Sequence, residues 1–155
     1  MTDPLFLSLR DVNFRYDGAA VLRKIDCDIR RGEFVGIIGP NGSGKSTLLK
    51  IVSGFLKTGT GEVRLLGEKI DERDTLELAK MVAVLPQSID VPFSYTGEEF
   101  IRMGRYPHRS RWRTRSGTYD PVVSSVLEML GIEHLRNREV NSLSEGERQN
   151  IFIAQ

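Results

Sequence analysis

Short runs of alternating apolar and polar residues fill the first third of the chain, a pattern typical of half-buried β-strands. One run extends from Leu5 to Tyr16 with a single interruption, and a second extends from Leu22 to Ile29. Because the turn-forming Asp-Gly pair at 17–18 separates them, we predict an antiparallel two-stranded unit. A third short strand is predicted between the glycine turns of residues 59–67.

Two further runs are almost continuously apolar, as expected of strands that are buried on both faces of a parallel sheet. They are Phe34–Ile38 and Met81–Leu85. Residues 48–52 follow the first run with helical spacing, and the charged residues 71–80 precede the second run and indicate a helix. This half of the chain therefore predicts an α/β fold in which an antiparallel unit is joined to parallel strands.

The second half of the chain carries helix-start signals instead of strand patterns. Thr96 and Ser144 are each followed, three residues later, by a glutamate, which is the capping-box pattern. We therefore predict helices over residues 96–103 and from 144 toward 155. Another helix is predicted over residues 120–131, where Asp-Pro stands at the start and glycine at the end. These signals predict a small helical insert.

The composition is typical of one globular domain. The chain has 155 residues, 39% of them hydrophobic and 28% charged, and its formal net charge is +1. This charge gives no overall attraction to nucleic acid, and no apolar run reaches the roughly 18 residues needed to span a bilayer. The one cysteine, Cys27, excludes an intrachain disulfide and is predicted to face the inside of a strand. His108 and His134 have no metal-ligand spacing, so no zinc site is expected. We expect a cytosolic protein that can dock on a membrane complex.

Residues 39–47 carry the most specific motif of the chain. They read Gly-Pro-Asn-Gly-Ser-Gly-Lys-Ser-Thr and match the phosphate-binding loop G-x-x-x-x-G-K-[ST]. Glycines let the backbone wrap an anion, and the N-terminus of the following helix adds partial positive charge. Lys45 is expected to reach the β- and γ-phosphates, Ser46 to hold Mg²⁺, and Thr47 to lie near the α-phosphate. The predicted polyphosphate site comprises Gly39, Asn41, Gly42, Ser43, Gly44, Lys45, Ser46 and Thr47.

Other positions admit both a structural and a functional interpretation. Tyr16 is a core aromatic at a strand end or stacks on a purine ring. Gln87 begins a loop, or reaches a metal ion or an attacking water from the carboxyl end of a strand. Ser144 and Gly146 begin a well-capped helix, or turn a hydroxyl and an amide toward a phosphate. Local physics leaves each pair of alternatives open.

Arginines with interleaved aromatic residues cluster in the loop between the first two predicted helices of the insert. The cluster is compatible with an acidic partner, with nucleic acid, with lipid headgroups or with a solvated surface that has no specific partner. Its members are Arg105, Tyr106, His108, Arg109, Arg111, Trp112, Arg113 and Arg115.

In their order and spacing, these motifs resemble those of the nucleotide-binding subunit of an ATP-binding cassette (ABC) transporter. The phosphate loop has the form found in that family, Tyr16 stands at the place of its adenine-stacking aromatic, and Gln87 stands at that of the Q-loop glutamine. Residues 143–147 stand at the place of the signature motif. The resemblance covers the whole chain. Residues 104–108 are similar to the subgroup that serves importers of iron-siderophore, haem and vitamin B12 type.

The resemblance implies a P-loop nucleotide hydrolase fold of ABC ATPase type. Within it, residues 1–87 would form the antiparallel β subdomain and the phosphate-loop core, residues 88–142 the helical subdomain, and residues 143–155 the signature helix. The helical subdomain would meet transmembrane permease subunits, with Phe93 and Tyr95 near that interface. The protein would then lie peripherally on the cytoplasmic face of the cell membrane.

The resemblance also implies the ligands and the second partner. ATP and Mg²⁺ would bind at the phosphate loop, the metal being held by Ser46 and Gln87, and Gln87 would also act in catalysis. Two copies of the subunit would sandwich two ATP molecules head to tail, so that Ser144 and Gly146 of one copy face the phosphate loop of the other. No nucleic acid partner is expected.

Two departures from the family pattern qualify these expectations. Glu145 stands where the signature motif has glycine, which puts a carboxylate near the expected γ-phosphate. The sequence also stops at Gln155, before the place of the Walker B carboxylates and the switch histidine. We therefore interpret the 155 residues as the N-terminal part of such a domain, able to bind nucleotide with negligible hydrolysis. An ABC-type ATPase that acts on nucleic acid or the ribosome is the alternative, whereas a GTPase is disfavoured because no Asn-Lys-x-Asp motif occurs.

Overall fold

The chain divides into two units, Met1–Ala83 and Val84–Gln155. They are seen in a computed structural model that describes residues 5–87, 89–108 and 120–155. Each unit has its own hydrophobic core and is described by itself.

The first unit is built on a four-stranded antiparallel sheet. Its strands are β1 (Leu5–Tyr16), β2 (Ala19–Arg30), β3 (Thr60–Leu65) and β4 (Glu68–Lys69), in the spatial order β2-β1-β3-β4. The antiparallel pairing of the first two strands and the strand within residues 59–67 are therefore confirmed. The sequence alternation works as expected, because it gives each strand one apolar face toward the core.

The core of this unit lies between the sheet and helix α1 (Lys45–Val52). Leu9 and Val12 of β1 are buried there, and Ile51 of α1 is 1% exposed. Cys27 packs half-buried against the same core, as its position in the alternation of β2 predicts. The helix that follows the phosphate loop is therefore anchored to the sheet by its apolar face.

The prediction of parallel strands at residues 34–38 and 81–85 is wrong. No described residue of either segment is in a strand, and Phe34 and Ile38 are 101% and 97% exposed. A strand needs a neighbour for its backbone N–H and C=O groups, and every strand pairing among the described residues is antiparallel. A continuous apolar run indicates burial but does not specify a partner, so a strand does not follow from it.

The helix predicted over 71–80 is shorter than expected. A 3₁₀ turn covers Ile70–Glu72, and helix α2 covers only Thr75–Ala79. The side chain of Asp74 accepts hydrogen bonds from the amides of Leu76 and Glu77, at 2.9 and 3.3 Å. Asp74 is thus the N-cap of α2, and an N-cap has non-helical backbone angles, which interrupts the segment.

The second unit is helical, as predicted. Its helices are α3 (Gly97–Met103), α4 (Pro121–Met129) and α5 (Glu145–Ala154), with short 3₁₀ turns at 106–108, 133–135 and 140–142. Both predicted capping boxes are formed. The core contains fully buried side chains from all three helices: Ile101, Leu127 and Ile151. None of the described helices is both long and apolar enough to cross a membrane.

Candidate nucleotide-binding site

The phosphate loop ends in a glycine that packs directly on strand β2. Gly44 has a φ of 92°, a left-handed conformation that glycine adopts at little cost. A Cβ added at this residue would lie 2.8 Å from Leu22 Cδ2 and 3.1 Å from the carbonyl oxygen of Val21. The end of the loop is therefore fixed between the strand and the helix, and both the backbone angle and the available space require glycine.

Helix α1 begins without a side-chain cap. Its N-cap is Gly44, and the hydrogen bond from the amide of Leu48 to the carbonyl of Gly44, at 2.8 Å, starts the helical pattern. Within the part of the chain that the structure describes, no acceptor pairs with the amides of Lys45, Ser46 and Thr47. Three open N–H groups at the positive end of a helix form the geometry that binds an anion.

The other four described α-helices begin differently, because a side chain caps each of them. These caps are Asp74 for α2, Thr96 for α3, Asp120 for α4 and Ser144 for α5. A side-chain cap satisfies at least one of the first-turn amides in each of those four α-helices, and α1 has no such cap. The open end of α1 therefore marks the phosphate loop as a site for a ligand.

The side chain of Lys45 folds back over the loop. Its Nζ donates hydrogen bonds to the carbonyl oxygens of Gly39 and Pro40, at 2.9 and 2.8 Å. The ammonium group is thus held at the loop, close to the backbone that would cradle a phosphate. Ser46 is exposed, and its hydroxyl makes no hydrogen bond to any described residue, so an oxygen is available for a hard cation such as Mg²⁺.

Tyr16 lies at the exposed end of β1. It is 44% exposed and meets the ring of Phe14 edge-on, with 4.8 Å between the ring centroids. The interpretation of Tyr16 as a buried core aromatic is therefore wrong for this structure. The exposed ring surface is compatible with stacking on a base.

Gln87 is exposed and belongs to the second unit, whereas Ser46 belongs to the first. It does not follow a strand, because residues 81–85 form none. Instead, Gln87 lines a cavity of about 280 Å³ together with side chains of helix α5, including Glu145 and Arg148. The structure therefore associates Gln87 with the predicted signature helix within one unit.

The hydroxyl of Ser144 is occupied within its own helix. It donates to Glu147 Oε2 at 2.7 Å and accepts from the amide of Glu147 at 3.4 Å, and the amide of Ser144 donates to the same carboxylate at 2.8 Å. These bonds lower the pKa of Glu147. Gly146 is exposed, and a Cβ added there would contact nothing. Ser144 must exchange its bond to Glu147 before it can donate to a phosphate.

Sequence reasoning missed Arg148 and Asn141, which bind the backbone of residues 89–93. Both flank the signature-like motif, but nothing in their local pattern points to a contact so distant in the sequence.

The basic cluster falls largely outside the described residues, which include only Arg105, Tyr106 and His108 of it. Among described residues, no group of three or more His, Cys, Asp or Glu could hold a metal ion.

Comparison with known proteins identifies the family. The model of the ABC transporter family matches residues 22–155. The chain belongs to the ABC transporter family. The petrobactin import ATP-binding protein FpuC of Bacillus anthracis is 38% identical over 149 residues, which are 96% of this chain and 54% of FpuC. The hemin import ATP-binding protein HmuV of Escherichia coli O157:H7 is 34% identical over 148 residues, which are 96% of this chain and 56% of HmuV.

Solved structures agree on the fold. A nucleotide-free ATP-binding cassette from an ABC transporter matches with a TM-score of 0.81 and 26% identity, over 97% of this chain and 63% of that chain. The P-loop fold of ABC ATPase type is therefore confirmed. This ABC chain spans between about a third and just over half the length of the curated relatives it matches. The alternative of an ABC-type ATPase acting on nucleic acid finds no support among these relatives.

Proposed function

We propose that this chain is the nucleotide-binding part of an ATP-driven ABC importer of iron-siderophore, haem or cobalamin type. The open N-terminus of α1 behind the glycine loop carries the proposal, because α1 is the one described α-helix without a side-chain cap and the amides of Lys45, Ser46 and Thr47 are left for an anion. The choice of cargo class follows from the relatives, which include ATP-binding proteins for import of petrobactin, hemin and cobalamin.

The phosphates of ATP would lie along the loop and the first turn of α1. The open amides of Lys45, Ser46 and Thr47 and the ammonium of Lys45 would balance their negative charge, and the exposed ring of Tyr16 would stack on adenine. Ser46 and Gln87 would hold Mg²⁺, which neutralises charge on the β- and γ-phosphates when it is bound. Gln87 would also orient water for catalysis.

Two protein partners complete the proposal. A second copy of the subunit would bring Ser144 and Gly146 to the γ-phosphate, with Glu145 directed away from it. Permease subunits would bind the helical unit, where Phe93 is 65% exposed and Tyr106 is 70% exposed. The chain would therefore work at the cytoplasmic face of a membrane. Among the described residues, Ser46 and Gln87 are the two proposed to hold the metal, and we propose that this pair supports ATP binding with negligible hydrolysis.

Replacing Lys45 by alanine tests the site. Hydrogen bonds to a charged donor contribute roughly 1.5–3 kcal/mol, so ATP affinity should fall by about ten- to a hundredfold. Lys50→Ala is the matched control, since Lys50 lies in the last turn of the same helix and should leave affinity nearly unchanged. Isothermal titration measures the dissociation constants, and phosphate release from the same samples measures hydrolysis. Equal affinities of wild type and Lys45→Ala would refute the site, and turnover similar to that of a complete subunit would refute the lack of hydrolysis.

A further inference from the structure

In the stretch around Gln87, backbone carbonyl groups accept hydrogen bonds from side chains. Residues 84–87 and 89–93, called here the Gln87 segment, form neither helix nor strand. Arg148 Nη2 donates to the carbonyl oxygen of Ile89 at 2.7 Å. Asn141 Nδ2 donates to the carbonyl oxygen of Val91 at 3.1 Å. Because backbone carbonyls away from regular structure need such donors, these two contacts hold the segment in place.

The guanidinium of Arg148 packs over an aromatic ring. Its guanidinium carbon lies 5.4 Å from the centroid of the Phe152 ring, and Phe152 packs against Phe100 with 5.3 Å between ring centroids. The Nε of Arg148 is buried, and it has no acceptor among the described residues. A planar head group stacked on an aromatic ring loses little freedom when it donates. Packing thus aims the Nη2 of Arg148 at Ile89.

The same side chain lines a cavity together with the predicted catalytic glutamine. Gln87, Glu145, Arg148 and Gln149 line one cavity of about 280 Å³ in the second unit. Helix α5 starts at the Ser144 cap, on the turn before Arg148. We propose that Arg148 is a positioning residue that fixes the Gln87 segment to α5, so that Gln87 and the signature-like helix start behave as one body. The functional meaning of this contact rests on the proposed nucleotide site.

Amide hydrogen exchange of the full 155-residue chain, followed by mass spectrometry, tests the contact itself. The protected amides that report on the segment are those of Tyr95, which donates to the carbonyl oxygen of Phe93 at 3.0 Å, and of Val140, which donates to that of Tyr95 at 2.9 Å. Arg148→Met keeps the length of the side chain but removes the donor, so exchange at Tyr95 and Val140 should accelerate roughly tenfold. Arg102→Met is the matched control. Arg102 is also partly buried, pairs with Glu98, has a buried Nε without a described acceptor, and makes no hydrogen bond to the described residues of the Gln87 segment.

Arg148→Lys separates positioning from general stability. A lysine keeps one donor but not the planar fork, so exchange at Tyr95 and Val140 should be intermediate between wild type and Arg148→Met. Unchanged exchange in a folded Arg148→Met protein would overturn the proposal. So would equal acceleration in Arg102→Met, or loss of the fold in both Arg148 variants, because either result would mean a general structural role.

ATP is titrated into each protein twice, once in the presence of Mg²⁺ and once in the presence of EDTA. The difference between the two affinities tests the consequence for Gln87. Arg148→Met should reduce the gain in affinity that Mg²⁺ confers, as Gln87→Ala should, and leave affinity in EDTA unchanged. An unchanged gain from Mg²⁺ despite faster exchange would overturn the positioning role. A wild-type chain that does not bind ATP would instead refute the proposed function, while the exchange experiment would still report on the contact of Arg148.

Discussion

Replacing Gly44 by alanine tests why the phosphate loop is joined so tightly to the sheet. The φ of 92° is a left-handed conformation, which costs a non-glycine residue about 1–2 kcal/mol. The new methyl group would also lie 2.8 Å from Leu22 Cδ2, well inside the roughly 3.5–4.0 Å of an ordinary carbon contact. Overpacking of this kind costs about 1–3 kcal/mol, so the sum is about 2–5 kcal/mol.

Gly42→Ala is the matched control, because it separates the two contributions. Gly42 has a φ of 80°, but a Cβ added there meets no atom within 4 Å. It should therefore cost only the backbone part, about 1–2 kcal/mol. Urea denaturation followed by circular dichroism measures the free energies of unfolding, and titration with ATP shows whether the loop still binds. Equal losses of stability in the two variants would refute the reasoning that contact with β2 constrains the loop.

Two further predictions concern the helical unit. The pKa of Glu98 lies below its ordinary value of 4.5, chiefly because Arg136 donates to it and also because Arg102 does. A lowered folded pKa stabilises the fold above the ordinary value and loses that contribution as pH falls through the folded value. The thermal midpoint should therefore drop as the pH falls below the ordinary value of 4.5, and Glu98→Gln should be less stable near pH 7 but lose less stability on acidification. An equal fall of the thermal midpoint with pH in the two proteins would contradict this. Gly146→Ala should stabilise the chain by about 0.5–1 kcal/mol in urea denaturation, because its site in α5 is open and alanine favours helix. A loss of stability would mean that the surroundings of Gly146 are tighter than the structure shows.

The parts of the fold that the sequence predicts correctly are those whose partners are nearby in the chain. Apolar and polar residues alternate along β1 and β2, and a turn joins the two strands, so the sequence predicts both the strands and their pairing. The capping boxes at Thr96 and Ser144 are local as well, and both are formed. The run at 34–38 fails because its apolar residues indicate burial, whereas strand formation depends on a parallel neighbour that a local pattern cannot identify.

The candidate site also has one part that the sequence predicts and another part that it does not. The phosphate loop is predictable because nine consecutive residues contain the glycines, the lysine and the helix start. The contact between Arg148 and Ile89 joins residues 59 positions apart and depends on how Phe152 packs, so the sequence gives no direct indication of it. The sequence predicts the capping box at Ser144, whereas the bond of its hydroxyl to Glu147, which competes with a phosphate, is visible only in the structure.

The two helix starts that are proposed to bind one ATP molecule differ in whether their hydrogen-bonding groups are free to bind a phosphate. The start of α1 has open amides and a lysine already held at the loop. At the start of α5, Glu147 engages both the hydroxyl and the amide of Ser144, and Arg138 donates to the other oxygen of that carboxylate at 2.9 Å. A phosphate must displace the hydroxyl from a carboxylate that repels it. It follows that a single copy should bind ATP mainly through the phosphate loop, and that engagement of Ser144 should require the additional contacts of a closed dimer to offset the lost capping bond.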